Sequence, residues 1–521
     1  MIPFAATDHD NIRVFAEQVD ASFLPRPQGQ ESAIAAGARH PEISIPAAFD
    51  AYRTLLIETG CNLASPVQLA ATREMTTDAA LAERDGENPL VPGHTRVSIR
   101  HLYHAGLWAA IRSGWREGYN AEADHFIVSG DSSEDIARSF EHVKEAIRQA
   151  AGYTKFTTDT SRLFELEADV RHAAAWGDSA VAERFAQILT PEEQSWVAAE
   201  FSRPFSIGGR EYSFTRQEII RLSVKFGMSL KRNEELYDFI QQCKCGRSFD
   251  FEPSIDEAET LTTAKELLFY MHWLQARGRP APLVPPNFGF KKRQPFPVMM
   301  ERTAEHGVGL REYCHGKMWP ELLPRVEQEF GGHPLKELAA RIREHADIAH
   351  HFNATLSVHS GSGKQAAVLG IIGEATSGRV NYKISGELQL LLLDVLAEQP
   401  VDSYWRQLFD RMVDRANRFA AAGLYGPESK LAGHYAGSGG GRLLGDAARG
   451  RVDGNLFLVF WLGNVVGSRD VNSPDGDNRF FKEKIDEMPD NLLHEVRERN
   501  SRYIIWLAEH LLASPRGTGN P

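Results

Sequence analysis

The feature that most constrains the fold of this chain is a repeated alternation of short apolar strands and helical patterns, which begins near residue 120. Segments rich in β-branched and aromatic residues are predicted to be strands, and amphipathic stretches separate most of them. Strands that alternate with helices predict a parallel sheet whose crossovers are right-handed. The predicted strands are residues 123–128, 153–158, 248–255, 283–284, a strand that begins at Ala354, and residues 379–384.

Polar side chains stand where these predicted strands end. In a barrel of parallel strands the carboxyl ends meet at one face, and the catalytic residues come from several strand ends. The sequence therefore predicts an α/β protein with a (β/α)8 TIM-barrel-like core, in which six strands are identified and two are not. The polar residues at strand ends include Asp124, His125, Asp159, Asp256, Glu257, Asn287, His359 and Lys383.

The chain is expected to divide into three parts. Residues 1–115 are predicted to form an α-rich N-terminal extension, and residues 116–455 to form the barrel. An insertion rich in proline, glycine and charge is expected at about 289–333, and residues 456–521 are expected to form a helical segment packed on the barrel. Capping-box patterns at Thr190 and Thr215 predict that helices start there.

Composition excludes several classes of protein. The formal net charge of −12 argues against general nucleic-acid binding, and no apolar stretch reaches the ~18 residues that a membrane span requires. The amino terminus lacks the features of a signal peptide, and four cysteines in 521 residues do not make a disulfide framework. We therefore expect a cytoplasmic protein with thiols, acting on a small molecule, with neither nucleic acid nor membrane as partner. The oligomeric state is left open.

The densest group of polar residues follows the strand that begins at Ala354. Its sequence, Ala-Thr-Leu-Ser-Val-His-Ser-Gly-Ser-Gly-Lys, places His359 where the strand ends, with two glycines after it. Glycine lets a backbone approach a ligand closely, so this segment favours a site over a structural histidine. The spacing before Lys364 does not fit a phosphate loop, and no dinucleotide fingerprint or nucleophile elbow stands in its proper context.

The strand ends together offer carboxylates, imidazoles and lysines. These groups bind divalent metals and perform acid–base chemistry. Spacing along the chain does not decide which of them are ligands, because they lie on different strands.

Several of these segments, taken in order, resemble the tagaturonate/fructuronate epimerase family. Members of that family are metal-dependent TIM-barrel enzymes that invert carbon 4 of ketohexuronates. Three features depart from the family pattern: the insertion, Gly363 where an acidic residue is expected, and Asn381 where a histidine is expected. These departures put the identity of the substrate in question more than the fold. The similar stretches are residues 100–106, 121–125, 156–161, 251–259, 356–364, 382–386 and 500–511.

For such a substrate, the resemblance implies a metal-assisted retro-aldol reaction, because the proton on C4 is β to the ketone and is not acidified. Asp159 and Glu257 are predicted to be the acid–base pair. The predicted ligands of a divalent metal, foremost Zn²⁺ with Mn²⁺ or Ni²⁺ as alternatives, are His125, His359 and Glu257. Lys364 and Lys383 are expected to bind the uronate carboxylate. The full set of predicted substrate-binding residues is Asp124, Thr160, Asn287, Ser360, Lys364 and Lys383.

Two other interpretations fit the same residues. The first is a related metal-dependent barrel enzyme that acts on neutral ketohexoses, as a 4-epimerase or an aldolase. The second is a non-catalytic sugar-binding relative. Product analysis with a panel of ketoses and ketouronates separates the first from a ketohexuronate epimerase, and sugar binding without turnover under any divalent metal would indicate the second.

Overall fold

The computed structural model describes residues 9–37, 40–71, 98–256, 260–290, 296, 334–359, 361, 364, 366–422 and 477–512. Eight strands within these ranges form one sheet in which every pairing is parallel. A separate antiparallel hairpin consists of β5 (Phe205–Ile207) and β6 (Arg210–Tyr212). The strands of the large sheet are β1 (Ala33–Gly37), β2 (Ala64–Ala70), β3 (Ala121–Ile127), β4 (Lys155–Asp159), β7 (Asp250–Ser254), β8 (Leu283–Val284), β9 (Thr355–Val358) and β10 (Val380–Ile384).

The large sheet curls until its two edges meet. Its strand order is β7-β4-β3-β2-β1-β10-β9-β8, so β7 and β8 are the edge strands. Directly after β7, Ile255 pairs in parallel with Pro286, which lies just beyond β8. This bridge brings the edges together and nearly closes the sheet into a barrel. The predicted α/β, TIM-barrel-like core is confirmed, and all six predicted strands are present.

Helices connect the strands and are numbered in chain order. The predicted starts at Thr190 and Thr215 are confirmed, and each has a complete capping box. The helices are α1 (His9–Val14), α2 (Pro41–Thr59), α3 (Ile99–Ser113), α4 (Ser133–Gln149), α5 (Asp178–Ile188), α6 (Pro191–Glu200), α7 (Arg216–Lys244), α8 (Ala264–Ala276), α9 (Pro334–His351), α10 (Ala366–Thr376), α11 (Gly386–Ala397), α12 (Tyr404–Ala421), α13 (Asp477–Asp486) and α14 (Asp490–Leu511).

The C-terminal helix α14 takes part in the helical layer around the barrel. It packs against α2, which follows β1, and against α10, which precedes β10. It therefore covers the region where β1 and β10, the first and last strands of the sheet along the chain, lie side by side. Within the described ranges, none of the helices is long and apolar enough to cross a membrane.

The start of the barrel differs from the prediction. The strands β1 and β2 lie within residues 1–115, which were expected to form an α-rich extension outside the barrel. Their sequences, Ala-Ile-Ala-Ala-Gly and Ala-Ser-Pro-Val-Gln-Leu-Ala, are rich in alanine, which has little preference for strands. The barrel therefore begins at β1, because burial in a parallel sheet outweighs this weak local preference. Most of the predicted insertion, and residues 423–476, lie outside the described residues.

The wall of the barrel separates an apolar outer face from a polar interior. On β10 the side chain of Tyr382 packs in the hydrophobic core, whereas the next residue, Lys383, contacts charged groups from other strands. On β7, Phe251 likewise packs in the hydrophobic core, and the next residue, Glu252, forms an ion pair with Lys155. Parallel strands that are buried on both faces are normally apolar throughout, and buried charge is costly unless it is paired. The charged interior therefore marks the candidate site.

Candidate active site

A cluster of charged side chains inside the barrel is centred on Lys383. Its Nζ lies 2.6 Å from Asp124 Oδ1 and 2.6 Å from Glu252 Oε1, and it also contacts Glu122 Oε1. Thr157 Oγ1 lies 3.2 Å from the same nitrogen. Burial alone would lower the pKa of Lys383, but the three carboxylates outweigh it and raise the pKa well above its usual value. Lys383 is therefore a permanent cation whose ammonium group has three carboxylate partners.

A second buried lysine, Lys155, binds the opposite oxygen atoms of the two glutamates. Its Nζ lies 2.9 Å from Glu252 Oε2 and 3.2 Å from Glu122 Oε2. Thr157 Oγ1 lies 2.9 Å from Oε1 of each glutamate. Strand register produces these contacts, because Lys155 is paired with Glu122 and Thr157 with Glu252 on neighbouring strands. Glu252 is thus held through both of its carboxylate oxygens.

His359, directly after β9, is also bound to Glu252. Its Nε2 lies 2.8 Å from Glu252 Oε1, and its Nδ1 lies 3.4 Å from Asp256 Oδ1. Burial and Lys383 lower the pKa of His359, but Asp256 and Glu252 outweigh them and raise it to about 9. Burial opposes ionisation of Glu252, yet Lys155, Lys383 and His359 together hold the pKa of this carboxyl well below its usual range. Glu252 is therefore ionised at neutral pH.

A β-bulge in β3 brings two consecutive residues, Asp124 and His125, into the site. The register between β3 and β4 shifts between Ala123 and Phe126, and His125 has a φ of 53°. This left-handed conformation is uncommon for a residue other than glycine. Bulges re-aim side chains next to active sites, and unusual backbone conformations are concentrated there. The bulge accounts for two neighbouring side chains contacting the same cluster.

His125 lies between two carboxylates. Its Nδ1 is 3.3 Å from Asp159 Oδ2, and its Nε2 is 3.7 Å from Asp124 Oδ2. The centroid of its ring is 5.2 Å from that of His359. Asp159 Oδ1 accepts hydrogen bonds from the backbone and the hydroxyl of Ser161 at 3.1 and 2.6 Å. Burial opposes ionisation of Asp159, but His125 and Ser161 outweigh it and lower the pKa, so Asp159 is ionised at neutral pH.

Asp124, Glu252 and His359 form a group that could hold a metal ion. Each of them is buried and offers one ligand atom, and the three atoms lie within 4.8 Å of one another. Imidazole and carboxylate together suit Zn²⁺ and other borderline divalent cations. In addition, the carboxylates in and around this cluster outnumber its two lysines, so a divalent cation would reduce the local excess of negative charge. These carboxylates are Glu122, Asp124, Asp159, Glu252 and Asp256.

The predicted metal ligands agree only in part with this group. His359 belongs to it, and His125 adjoins it through Asp124. Glu257 lies outside the described residues, as does the predicted substrate-binding residue Ser360. Asp124 was predicted to bind substrate, which stays a prediction, and its place in the group also makes it a candidate metal ligand.

Thr160 takes part in hydrogen bonds with the helices α7 and α8. Its Oγ1 lies 2.6 Å from Ser229 Oγ and 2.9 Å from Asn233 Nδ2. Asn233 also accepts a hydrogen bond from Thr158 at 2.6 Å and donates one to the hydroxyl of Tyr270 at 2.7 Å. This buried network ties the end of β4, which carries Asp159, to the helical layer. A direct contact between Thr160 and a substrate stays a prediction.

The side chain of Asn287 organises the loop after β8. Its Oδ1 accepts a hydrogen bond from the backbone of Gly289 at 2.8 Å, and its Nδ2 donates to the carbonyl of Thr260 at 3.2 Å. Its backbone N–H donates to Thr262 Oγ1 at 2.9 Å. These hydrogen bonds of Asn287 join the loop after β8 to the segment that precedes α8, and its predicted role in substrate binding stays a prediction.

Lys364 is a buried lysine in the segment between β9 and α10. Its Nζ lies 5.5 Å from the centroid of the Phe290 ring. Burial lowers the pKa of Lys364 to about 7, although Glu387 at the start of α11 opposes the shift. Lys364 therefore differs from Lys383, because its charge changes close to neutral pH.

The prediction from sequence missed the charged residues that precede the carboxyl ends of the strands. Glu122, Lys155 and Glu252 are fully buried charged residues within β3, β4 and β7. A signal for them exists in the sequence, since polar residues recur at every second position, as at Glu122 and Asp124. In a strand this spacing places side chains on the same face.

Comparison with known proteins identifies the family of this chain. The model of the tagaturonate epimerase family UxaE matches residues 93–289 and 331–421. The tagaturonate/fructuronate epimerase of Thermotoga maritima is 24% identical over 299 residues, which are 57% of this chain and 50% of that protein. The chain thus matches about half the length of this curated relative.

Two solved structures are similar in fold. The one-glycerol complex of the fructuronate-tagaturonate epimerase UxaE from Cohnella laeviribosi has a TM-score of 0.61 and 20% identity, covering 97% of this chain and 86% of that chain. The two-glycerol complex has a TM-score of 0.60 and 19% identity, covering 96% and 86%. The family model matches more than half of the residues. This chain belongs to the tagaturonate epimerase family.

Proposed function

We propose that this protein is a metal-dependent epimerase that interconverts tagaturonate and fructuronate by inverting carbon 4. The observation that carries the proposal is the position of the group Asp124, Glu252 and His359 next to the pair His125 and Asp159. All five residues lie in or after barrel strands, and TIM-barrel enzymes take their catalytic residues from the ends of several strands. Membership of the tagaturonate epimerase family supports the choice of substrate.

Asp124, Glu252 and His359 are the residues that would hold the metal ion. Their oxygen and nitrogen donors favour Zn²⁺, with Mn²⁺ or Ni²⁺ as alternatives. When bound, a divalent cation would supply Lewis-acid stabilisation of negative charge that develops on the sugar. Lys155 and Lys383 keep the carboxylate of Glu252 ionised and fixed in orientation.

Asp159 is proposed to accept the proton of the C4 hydroxyl. His125 and Ser161 keep this carboxylate ionised, so it can act as a base. Loss of that proton lets the C4–O electrons form an aldehyde, while the electron pair of the C3–C4 bond passes to the other fragment. The aldehyde turns its opposite face, the C3–C4 bond re-forms, and the proton returns to the oxygen. Glu257 stays the predicted partner of Asp159 on the opposite side of the sugar.

The carboxylate of the uronate requires a cationic partner. Lys364 and Lys383 were both predicted for this role. The ammonium of Lys383 lies among three carboxylates, which would repel the carboxylate of a substrate. We therefore assign the substrate carboxylate to Lys364. The cytoplasmic location expected from the sequence remains part of the proposal.

The proposal is tested with protein purified without a chelator. Metal content is measured by mass spectrometry, and the protein is incubated with tagaturonate, with fructuronate and with neutral ketohexoses before product analysis. We expect one divalent metal per chain, interconversion of the two uronates, and loss of activity on chelation that added metal restores. Conversion of neutral ketohexoses alone, or sugar binding without turnover under any divalent metal, would contradict the proposal.

A further inference from the structure

We propose that Lys383 is a built-in competitor of the metal ion. Its ammonium group bridges the carboxylates of Asp124 and Glu252, which would also be metal ligands, and it thereby weakens the binding of the metal. The inference rests on the proposed metal centre and adds a determinant of its affinity. It concerns Lys383 and rests on the contacts that this lysine makes with described residues.

The geometry places one cation where another is expected to bind. Lys383 Nζ lies 2.6 Å from an oxygen of Asp124 on β3 and 2.6 Å from an oxygen of Glu252 on β7. These two strands are separated by β4 in the sheet, so the ammonium joins carboxylates across the interior of the barrel. A metal ion held by Asp124, Glu252 and His359 would make the same connection.

Electrostatics makes the two cations compete. A divalent ion that binds these carboxylates lies close to the ammonium, and like charges repel strongly where no water screens them. Lys383 cannot leave for solvent, because the residue is only 4% exposed. Each carboxylate oxygen that hydrogen-bonds the ammonium is also a weaker ligand for the metal. Both effects lower the affinity for the metal.

Glu122 provides a place for the displaced ammonium. It contacts Lys383 through Oε1 but does not belong to the group that could hold a metal. Thr157 Oγ1 lies 3.2 Å from the ammonium and 2.9 Å from Oε1 of both glutamates, so it offers Lys383 a neutral hydrogen-bond partner beside Glu122. When a metal binds, Lys383 can therefore keep a carboxylate partner, and competition does not require a buried unpaired charge.

Lys155 offers a matched comparison. It is as deeply buried as Lys383 and contacts the same two glutamates, but through their Oε2 atoms. Among the described residues, the ion pairs of Lys155 are with Glu122 and Glu252 and do not include Asp124. Replacing Lys155 therefore removes a buried positive charge from the cluster without removing the bridge between Asp124 and Glu252.

The experiment measures the dissociation constant of Zn²⁺ by competition with a chromophoric chelator. Metal-depleted wild type is compared with Lys383→Met, Lys383→Gln, Lys383→Arg and Lys155→Met at a single pH. We expect Lys383→Met and Lys383→Gln to bind Zn²⁺ at least ~10-fold more tightly than the wild type, a shift of the size that groups next to metal ligands produce. Lys383→Arg, which keeps the charge, should bind like the wild type, and Lys155→Met should gain less than the two neutral variants.

Circular dichroism establishes that each variant is folded. Lys383→Gln takes the place of Lys383→Met if the latter does not fold, because the amide can still donate hydrogen bonds to the carboxylates. If the wild type binds Zn²⁺ and the neutral variants bind it equally or more weakly, the inference is overturned and the metal centre stands. If only the neutral variants bind Zn²⁺, the inference is supported while metal dependence of the wild type fails. If none of the proteins binds it, both are overturned.

Discussion

His359 Nε2 lies 2.8 Å from Glu252 Oε1. This contact joins two residues from opposite sides of the sheet as its strands are ordered from β7 to β8. Glu252 belongs to the edge strand β7, and His359 follows β9, next to the other edge. The two can meet only because the sheet curls until Ile255 pairs with Pro286. The intervening strand β8 is only two residues long. Closure of the barrel therefore creates the candidate metal site, and neither strand supplies it alone.

Replacing Glu252 is expected to remove the metal. Glu252→Gln loses the anionic oxygen that contacts His359 and Lys383, and we expect loss of bound metal together with at least ~10²-fold lower turnover. Metal content and initial rates on tagaturonate are the measurements. Glu234→Gln is the control, because Glu234 is also buried but binds Trp273 Nε1 at 2.8 Å on the helical layer. If Glu252→Gln retains stoichiometric metal, Glu252 is not a ligand.

Asp159 is expected to act in the chemical step more than in binding. Asp159→Asn keeps a side chain of the same shape and can still accept a hydrogen bond from Ser161, but it cannot accept a proton. We expect kcat to fall at least ~10²-fold with little change in substrate affinity. Asp238→Asn serves as the control, since Asp238 pairs with Arg279 far from the barrel interior. A near-normal kcat for Asp159→Asn would assign the proton transfer to another group.

The architecture of the barrel could largely be predicted from the sequence, because local patterns encode it. The strands β3, β4, β7, β9 and β10 carry β-branched or aromatic residues, and three of the helices between them, α6, α7 and α8, begin with a complete capping box. By contrast, β1 and β2 are mostly alanine and other small residues, and only their burial between neighbouring strands makes them part of the sheet. That tertiary contribution leaves no local pattern to recognise.

The candidate site could be predicted only in part, for physical reasons. Asp159 and His359 stand at strand ends, where sequence patterns place functional residues, and both lie in the site. Glu252 lies in mid-strand and Lys155 is the first residue of β4, and the importance of both depends on contacts across the barrel that strand order and closure determine. The bulge that brings in His125 is likewise a property of pairing between strands. Such contacts are not visible in the sequence of any one strand.

The pH dependence of catalysis is expected to follow the charge of Lys364. Burial lowers the pKa of this lysine to about 7, and only the protonated form can pair with the substrate carboxylate. In the free enzyme kcat/KM should therefore decrease as pH rises above 7, approaching ~10-fold for each pH unit. Measurements from pH 5.5 to 9 check this. Lys364→Arg keeps its charge over the whole range and should remove the decrease, so a decrease that persists in this variant would point to a different group.

The retro-aldol mechanism is expected to leave the hydrogen on C4 in place. Asp159 takes its proton from the C4 hydroxyl, and the bond that breaks joins C3 to C4, so epimerisation in D₂O should introduce no deuterium at C4. Nuclear magnetic resonance of both epimers at equilibrium measures this directly. Deuterium at C4 would instead indicate direct removal of the C4 proton. A primary isotope effect with C4-deuterated substrate, without exchange, would indicate transient oxidation at C4. The two measurements thus distinguish the three routes to inversion: retro-aldol breaks the C3–C4 bond, direct deprotonation removes the C4 hydrogen as a proton that exchanges with solvent, and transient oxidation removes it as a hydride that does not.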